Sequence, residues 1–137
     1  IIYCSLDVIY VLELRKIDDR EIHKIVNVIL DDNLLSKTFD TENNMRTRLF
    51  DSCYACYIYL DNIKIGFINV IERYNTYEVD MGILSMYRGK GYATKSLNIL
   101  KETVLCNCDN VIIQTEKNNI AACRHAHVRR TGIGGRA

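Results

Sequence analysis

Apolar residues change their spacing several times along this chain, and each change marks an element. Residues 8–15 (Val-Ile-Tyr-Val-Leu-Glu-Leu-Arg) are β-branched and aromatic and alternate towards their end, which predicts a strand. Asp18 and Asp19 then offer an N-cap. Ile22, Ile25, Val26 and Ile29 follow at helical spacing, predicting a helix over 19–31. A second short helix is predicted at 41–51, with Thr41 as cap and Met45, Leu49 and Phe50 on one side.

The middle of the chain reads most clearly. Strands are predicted at 54–60, 63–72 and 77–84, with turns at Asp61-Asn62 and at Arg73-Tyr74-Asn75-Thr76. Links this short make an antiparallel meander. A helix is expected from about 91 to 105, with Ala93, Leu97, Leu100 and Val104 facing inward. Residues 110–115 then read as a buried strand. A strand–helix–strand unit places that strand parallel to the one at 77–84. The expected class is α+β, with helices on both faces of a mixed, mostly antiparallel sheet and one parallel pair.

Composition narrows the function. The 137 residues fit one domain, and 48% hydrophobic with 26% charged residues is ordinary for a globular chain. A net charge of +1 gives no global field for nucleic acid or an acidic membrane. No apolar run approaches the roughly 20 residues that span a bilayer. The apolar opening is broken by Asp7 and carries neither a basic leader nor a small-residue cleavage site. The expected location is therefore cytoplasmic, with six reduced cysteines. Cys53-x-x-Cys56 has redox spacing but runs into a strand, without a helix N-terminus to activate a thiol. Cys106, Cys108, Cys123, His125 and His127 lack zinc-knuckle spacing, so no metal site is expected.

The segment that carries chemistry is Arg88-Gly89-Lys90-Gly91-Tyr92-Ala93, between a strand and a helix. First-turn N–H groups of a helix have no intrahelical partners, and the helix dipole adds positive potential there. Gly89 and Gly91 let an anion approach the backbone, Ala93 keeps the first turn small, and Arg88 and Lys90 attract phosphate. A plain strand-to-helix turn with two solvated basic residues is the other reading. A phosphate-binding P-loop pattern is absent. A dinucleotide fingerprint would follow the first strand of a parallel sheet, whereas three antiparallel strands precede this loop.

Arg-x-x-Gly-x-Ala after a three-stranded meander resembles the GNAT superfamily of acyl-CoA N-acyltransferases. Asn119-Ile120-Ala121-Ala122 after the strand at 110–115 is similar to that family's Asn-x-x-Ala/Ser helix start. Leu14-Arg15 resembles the opening of the branch that acetylates ribosomal-protein N-termini and small amines. The resemblance spans about residues 8–122. It implies acetyl-CoA as cofactor and a small-molecule, peptide or lysine amine as acceptor. The N–H groups from Arg88 to Ala93, with Thr94 beside them, would hold the pyrophosphate. The strand edge at Met81 and Ile83 would pair with the pantetheine arm like an added strand where the strands at 77–84 and 110–115 splay apart, and Asn119 would touch the cofactor near that split. Attack by the amine is direct, so no cysteine nucleophile is expected. Glu78, ten residues before Arg88, is the candidate base through water. Asp80, on the same strand face, is second choice. A backbone N–H near Met81 or Ile83 would steady the oxyanion.

The chain departs from that family at its end. Members often place a Tyr, the acid for the leaving thiolate, about seven residues after the motif Asn; here that position is Ala126, and no Tyr follows Tyr92. Lys, Asn and Tyr give way to Arg, Ala and Gly. We therefore divide the chain into a core, 1–122, and an atypical basic, Gly-rich tail, 123–137, expected to be foreign to the fold. The family's last strands would be missing, leaving 110–115 as an open edge that a second copy could cover as a homodimer. Two alternatives follow from these departures. One is an acyl-CoA-binding module with weak catalysis. The other, nucleic-acid binding through Arg88, Lys90 and the basic tail, is opposed by the near-zero net charge and the lack of interleaved aromatics.

Overall fold

The computed structural model describes residues 1–5, 8–74, 76–105, 111–114 and 129–131. Its sheet has seven strands in sequence order. They are β1 (Ile2–Ser5), β2 (Val8–Lys16), β3 (Tyr54–Leu60), β4 (Ile63–Arg73), β5 (Thr76–Ile83), β6 (Val111–Gln114) and β7 (Arg129–Thr131). Strands β1 to β5 pair antiparallel, while β5–β6 and β6–β7 are parallel. The class is the expected α+β, with the parallel pair where the sequence placed it.

The turns explain the tight meander. Asp61 and Asn62 both take left-handed backbone angles, φ 47° and 67°, which suits a two-residue turn whose twist matches its strands. In β4, Ile65 is skipped between the pairs Ile58↔Gly66 and Tyr59↔Lys64, a β-bulge. That extra residue lets Ile65 and Ile68 face the same side despite their odd spacing.

Two cores sit on opposite faces of the sheet. On one face α4 (Tyr92–Thr103) packs on β2 and β5, burying Leu97, Ile99 and Leu100 against Ile68, Val79 and Met81. Ala93 and Val104 lie half-buried at its rim. On the other face α1 (Ile25–Leu30), α2 (Leu35–Thr38) and α3 (Arg46–Phe50) gather Ile25, Ile29, Leu35, Met45 and Leu49 around Phe67.

The helical layer is more broken than its periodicity predicts. Residues 19–24 form a 3₁₀ turn, because Glu21 N–H bonds the Asp18 carbonyl three residues back while the Asp18 side chain caps Arg20 N–H. Helix α2 was not foreseen. The cap of the next turn is Asp40, which accepts from Asn43 N–H, and Thr41 is buried instead. Phe50 is 90% exposed, contrary to the expected stripe. Met45, Arg48 and Leu49 form the inward stripe, and Phe50, two residues beyond Arg48, falls on the outer side.

Strand β1 was also unforeseen. Strand β7 arises from the stretch read as tail, and it covers β6 along Ile112–Gln114, the edge on which a second copy was expected. Among the described residues, no helix is long and apolar enough to cross a membrane.

Candidate active site

Between β5 and α4 the chain makes a 3₁₀ turn, Ser85–Tyr87, and then an extended Arg88. Gly89 (φ 76°) and Gly91 (φ 84°) are both left-handed, a region costly for residues with a Cβ. Gly91 is the N-cap of the 12-residue α4, and no side chain caps it. A Cβ built at Gly89 or Gly91 would meet nothing within 4 Å. Backbone conformation, not crowding, therefore demands glycine here, and the space above the turn is open. An uncapped helix start, an open cradle and Arg88 and Lys90 alongside fit a diphosphate. Tyr92, Ala93, Thr94 and Lys95 form the first turn of α4, half-buried, with Lys95 N–H bonding Gly91 O at 3.2 Å.

The sequence reading missed what surrounds this turn. The Lys95 ammonium donates to Tyr10 OH and lies 5.0 Å from the ring centre of Tyr3, a cation–π contact. Burial pushes the Tyr3 hydroxyl's pKa up, with Lys95 opposing. The loop's start is held by Asp32, whose Oδ2 accepts from Ser85 N–H and Ser85 Oγ, both at 2.9 Å. Nothing in local spacing signals a contact across 53 residues.

The parallel ladder of β5 with β6 runs from Tyr77↔Val111 to Asp80↔Gln114. Strand β5 continues through Met81, Gly82 and Ile83, which pair with β4 at Ile68, Phe67 and Gly66. Among the described residues no strand pairs with the other side of that stretch. The Met81 and Ile83 side chains are buried on the α4 face, so the strand offers backbone groups there. Asn119 lies outside the described residues.

Glu78 and Asp80 share the opposite face of β5, as their spacing predicts, but neither is a solvated strand residue. Glu78 is 2% exposed and Asp80 0%. Arg48, on α3 and 6% exposed, reaches both. Its Nε donates to Asp80 Oδ1 and Oδ2 at 2.9 Å, and its Nη1 to Glu78 Oε1 at 2.9 Å. Asn69 Nδ2 donates to Asp80 Oδ2 at 3.1 Å, and Arg73 Nε lies 3.4 Å from Glu78 Oε1. Burial raises the Asp80 carboxyl's pKa, against the lowering pull of Arg48, Asn69 and Arg73. Arg48 Nη2 and Asn69 Oδ1 are buried without a hydrogen-bond partner among the described residues. The sequence showed the carboxylates but not Arg48, whose role depends on how α3 meets the sheet.

Cys53 and Cys56 are free thiols. Burial pushes the Cys56 thiol up to about 12, far from a thiolate at neutral pH. Among the described residues, no group of three His, Cys, Asp or Glu side chains could hold a metal ion. Cys106, Cys108, Cys123, His125 and His127 lie outside the described residues. A cavity of about 420 Å³ opens in the helical layer beside Ile22, His23, Val26, Arg46 and Leu49; neither the glycine turn nor the carboxylate pair lines it.

Comparisons with known proteins follow the same lines. Residues 19–134 match the model of the Acetyltransferase (GNAT) family. No curated protein matches significantly. Among solved structures, a ribosomal-protein-alanine N-acetyltransferase from Brucella melitensis biovar Abortus superposes with a TM-score of 0.58 at 12% identity, over 83% of this chain and 87% of that one. An IAA acetyltransferase from Bacillus cereus gives 0.60 at 18% identity, over 86% and 73%. An aminoglycoside acetyltransferase from an uncultured soil metagenomic sample, solved with sisomicin, gives 0.54 at 16% identity, over 85% of each chain. At these identities the likeness is one of fold.

Proposed function

This chain belongs to the acetyltransferase (GNAT) family, and from that premise we propose that it transfers an acetyl group from acetyl-CoA to a primary amine. The observation that carries the reading is the glycine turn at the start of α4, uncapped and open among the described residues, beside Met81 and Ile83, with which no described strand pairs on the side away from β4. Gly89, Lys90, Gly91, Tyr92 and Ala93 hold the pyrophosphate by their N–H groups, with the Arg88 side chain, whose own N–H bonds Ser85 O, and Thr94 beside them. The backbone at Met81 and Ile83 pairs with the pantetheine arm. Asn119 contacts the cofactor near the split. The bound thioester supplies an acetyl group activated for attack.

The chain's own residues then have three tasks. Glu78 takes the proton of the attacking amine through water, oriented by its ion pair with Arg48. Asp80, held by Arg48 and Asn69, keeps that arginine in place. A backbone N–H at Met81 or Ile83 faces the developing oxyanion. The acceptor is a small-molecule amine or a peptide amine. Relatives of this fold named for aminoglycosides and for ribosomal-protein alanine support both classes. We place the protein in the cytoplasm, where its free Cys53 and Cys56 would stay reduced.

A second reading, an acyl-CoA-binding module with weak turnover, is favoured by Ala126, which stands where family members often carry the Tyr acid. Release of free coenzyme A thiol, measured over a panel of small amines and peptide N-termini, separates the two. Amine-dependent release supports transfer. Tight cofactor binding without release from any amine leaves the binding module.

A further inference from the structure

The β5–α4 loop carries two left-handed glycines at the proposed diphosphate site, and its start is fixed by a residue far away in sequence. Asp32 lies at the corner between α1 and α2. Its Oδ1 accepts from Leu34 N–H and Leu35 N–H, both at 3.0 Å, so the carboxylate caps α2. Its Oδ2 accepts from the N–H and the hydroxyl of Ser85, both at 2.9 Å. One side chain thus receives four donors, two from each segment. Capping fixes its orientation on the helical side, so it presents a set position to Ser85.

Ser85 opens the path into the loop. Just before it, Leu84 N–H bonds Ile65 O at 2.8 Å and the Leu84 side chain packs on the helical core. Just after it, Tyr87 N–H bonds Leu84 O at 2.9 Å, and Arg88 N–H bonds Ser85 O at 3.4 Å. From Gly89 to Gly91 the chain has two left-handed glycines and open space over both. Glycine has more backbone freedom to lose than any other residue, so ordering such a segment on a ligand costs conformational entropy. Fixing its start lowers that cost before a ligand arrives.

We propose that Asp32 is a positioning residue for the phosphate-binding loop: it pins Ser85, and through it Arg88, so that the N–H groups of residues 89–93 are arranged for a diphosphate. This rests on the acetyl-CoA reading of that loop. Hydrogen bonds to a charged group are the stronger kind, which suits a single anchor to this task.

The test uses the full chain with Asp32→Asn, which keeps an oxygen to cap α2 but turns an amide towards Ser85's donors. Three measurements are compared with wild type: amide hydrogen exchange of residues 85–91 without ligand, affinity for coenzyme A, and turnover of S-acetylpantetheine, a donor without the diphosphate. We expect faster exchange confined to residues 85–91 and coenzyme A affinity reduced about tenfold, the worth of one hydrogen bond to a charged group. Use of S-acetylpantetheine should be unchanged. Ser85→Ala, at an exposed position, removes one of the four bonds and should give a smaller loss of the same pattern; it serves if the Asp32 variant does not fold. Equal losses with both donors, or unchanged exchange and affinity, overturn the role of Asp32. A folded wild type that binds no coenzyme A overturns the loop's phosphate site, and the proposal with it.

Discussion

Arg48 Nε lies 2.9 Å from both carboxylate oxygens of Asp80, deep between α3 and β5. The same guanidinium reaches Glu78 through Nη1, so one cation joins a helix of the second face to both carboxylates of the strand beside the proposed cofactor path. Removing one partner of a buried ion pair leaves uncompensated charge, which costs about 3–5 kcal/mol. Arg48→Ala should therefore lower the unfolding free energy by about that amount in urea titration. A loss below about 1 kcal/mol, ordinary for a surface pair, would mean that the network is solvated.

Asp80 gives the network a pH signature. Burial raises its pKa in the folded state above the ordinary 3.8, although Arg48, Asn69 and Arg73 pull it down; Glu78 shares the Arg48 guanidinium with it. Folding therefore takes up a proton at this site. The stability it contributes is complete below pH 3.8 and is lost as pH rises through the raised folded value. Asp80→Asn has no such slope. The difference in stability between the two proteins should move in the variant's favour as pH rises from 3.8, as followed by denaturant melts at several pH values. A difference independent of pH would contradict the assignment.

Glu78→Gln keeps the shape of the side chain and removes the proton acceptor. General-base catalysis contributes about 10²- to 10⁴-fold, so kcat for acetyl transfer should fall at least about a hundredfold. Affinity for coenzyme A should hold, since the residue lies on the face of β5 away from α4. Unchanged turnover would remove Glu78 from the mechanism and leave it as Arg48's structural partner.

Much of this was legible in the sequence because it is local. Alternation and two-residue turns define β3, β4 and β5, and glycines at a strand-to-helix junction define the loop from Arg88 to Ala93. The parallel β6 followed from the intervening helix. Long-range relationships were not legible. Arg48 looks like any surface arginine until α3 lies against β5, and Asp32 like an ordinary loop residue until Ser85 meets it. The expectation for Phe50 failed on local geometry: Met45, Arg48 and Leu49 share the inward side at helical spacing, and Phe50, two residues beyond Arg48, falls outside it.

Gly82 tests how closely β5 is packed between Met81 and Ile83. A Cβ there would lie 2.6 Å from the Phe67 ring and 2.9 Å from a Leu35 methyl. Gly82→Ala should destabilise the chain by about 1–3 kcal/mol through overpacking, seen as a lower urea midpoint. An unchanged midpoint would show that Phe67 and Leu35 can move aside.

The central claim is that the glycine turn at the start of α4 binds coenzyme A. The direct measurement is calorimetric titration of the chain with acetyl-CoA, beside a Gly91→Glu control. Glutamate at φ 84° strains the turn and points a carboxylate into the space meant for phosphate. We predict saturable binding to the wild type that is lost in a control which still folds. Equal binding by both proteins would place the cofactor elsewhere, and no binding by a folded wild type would contradict the account.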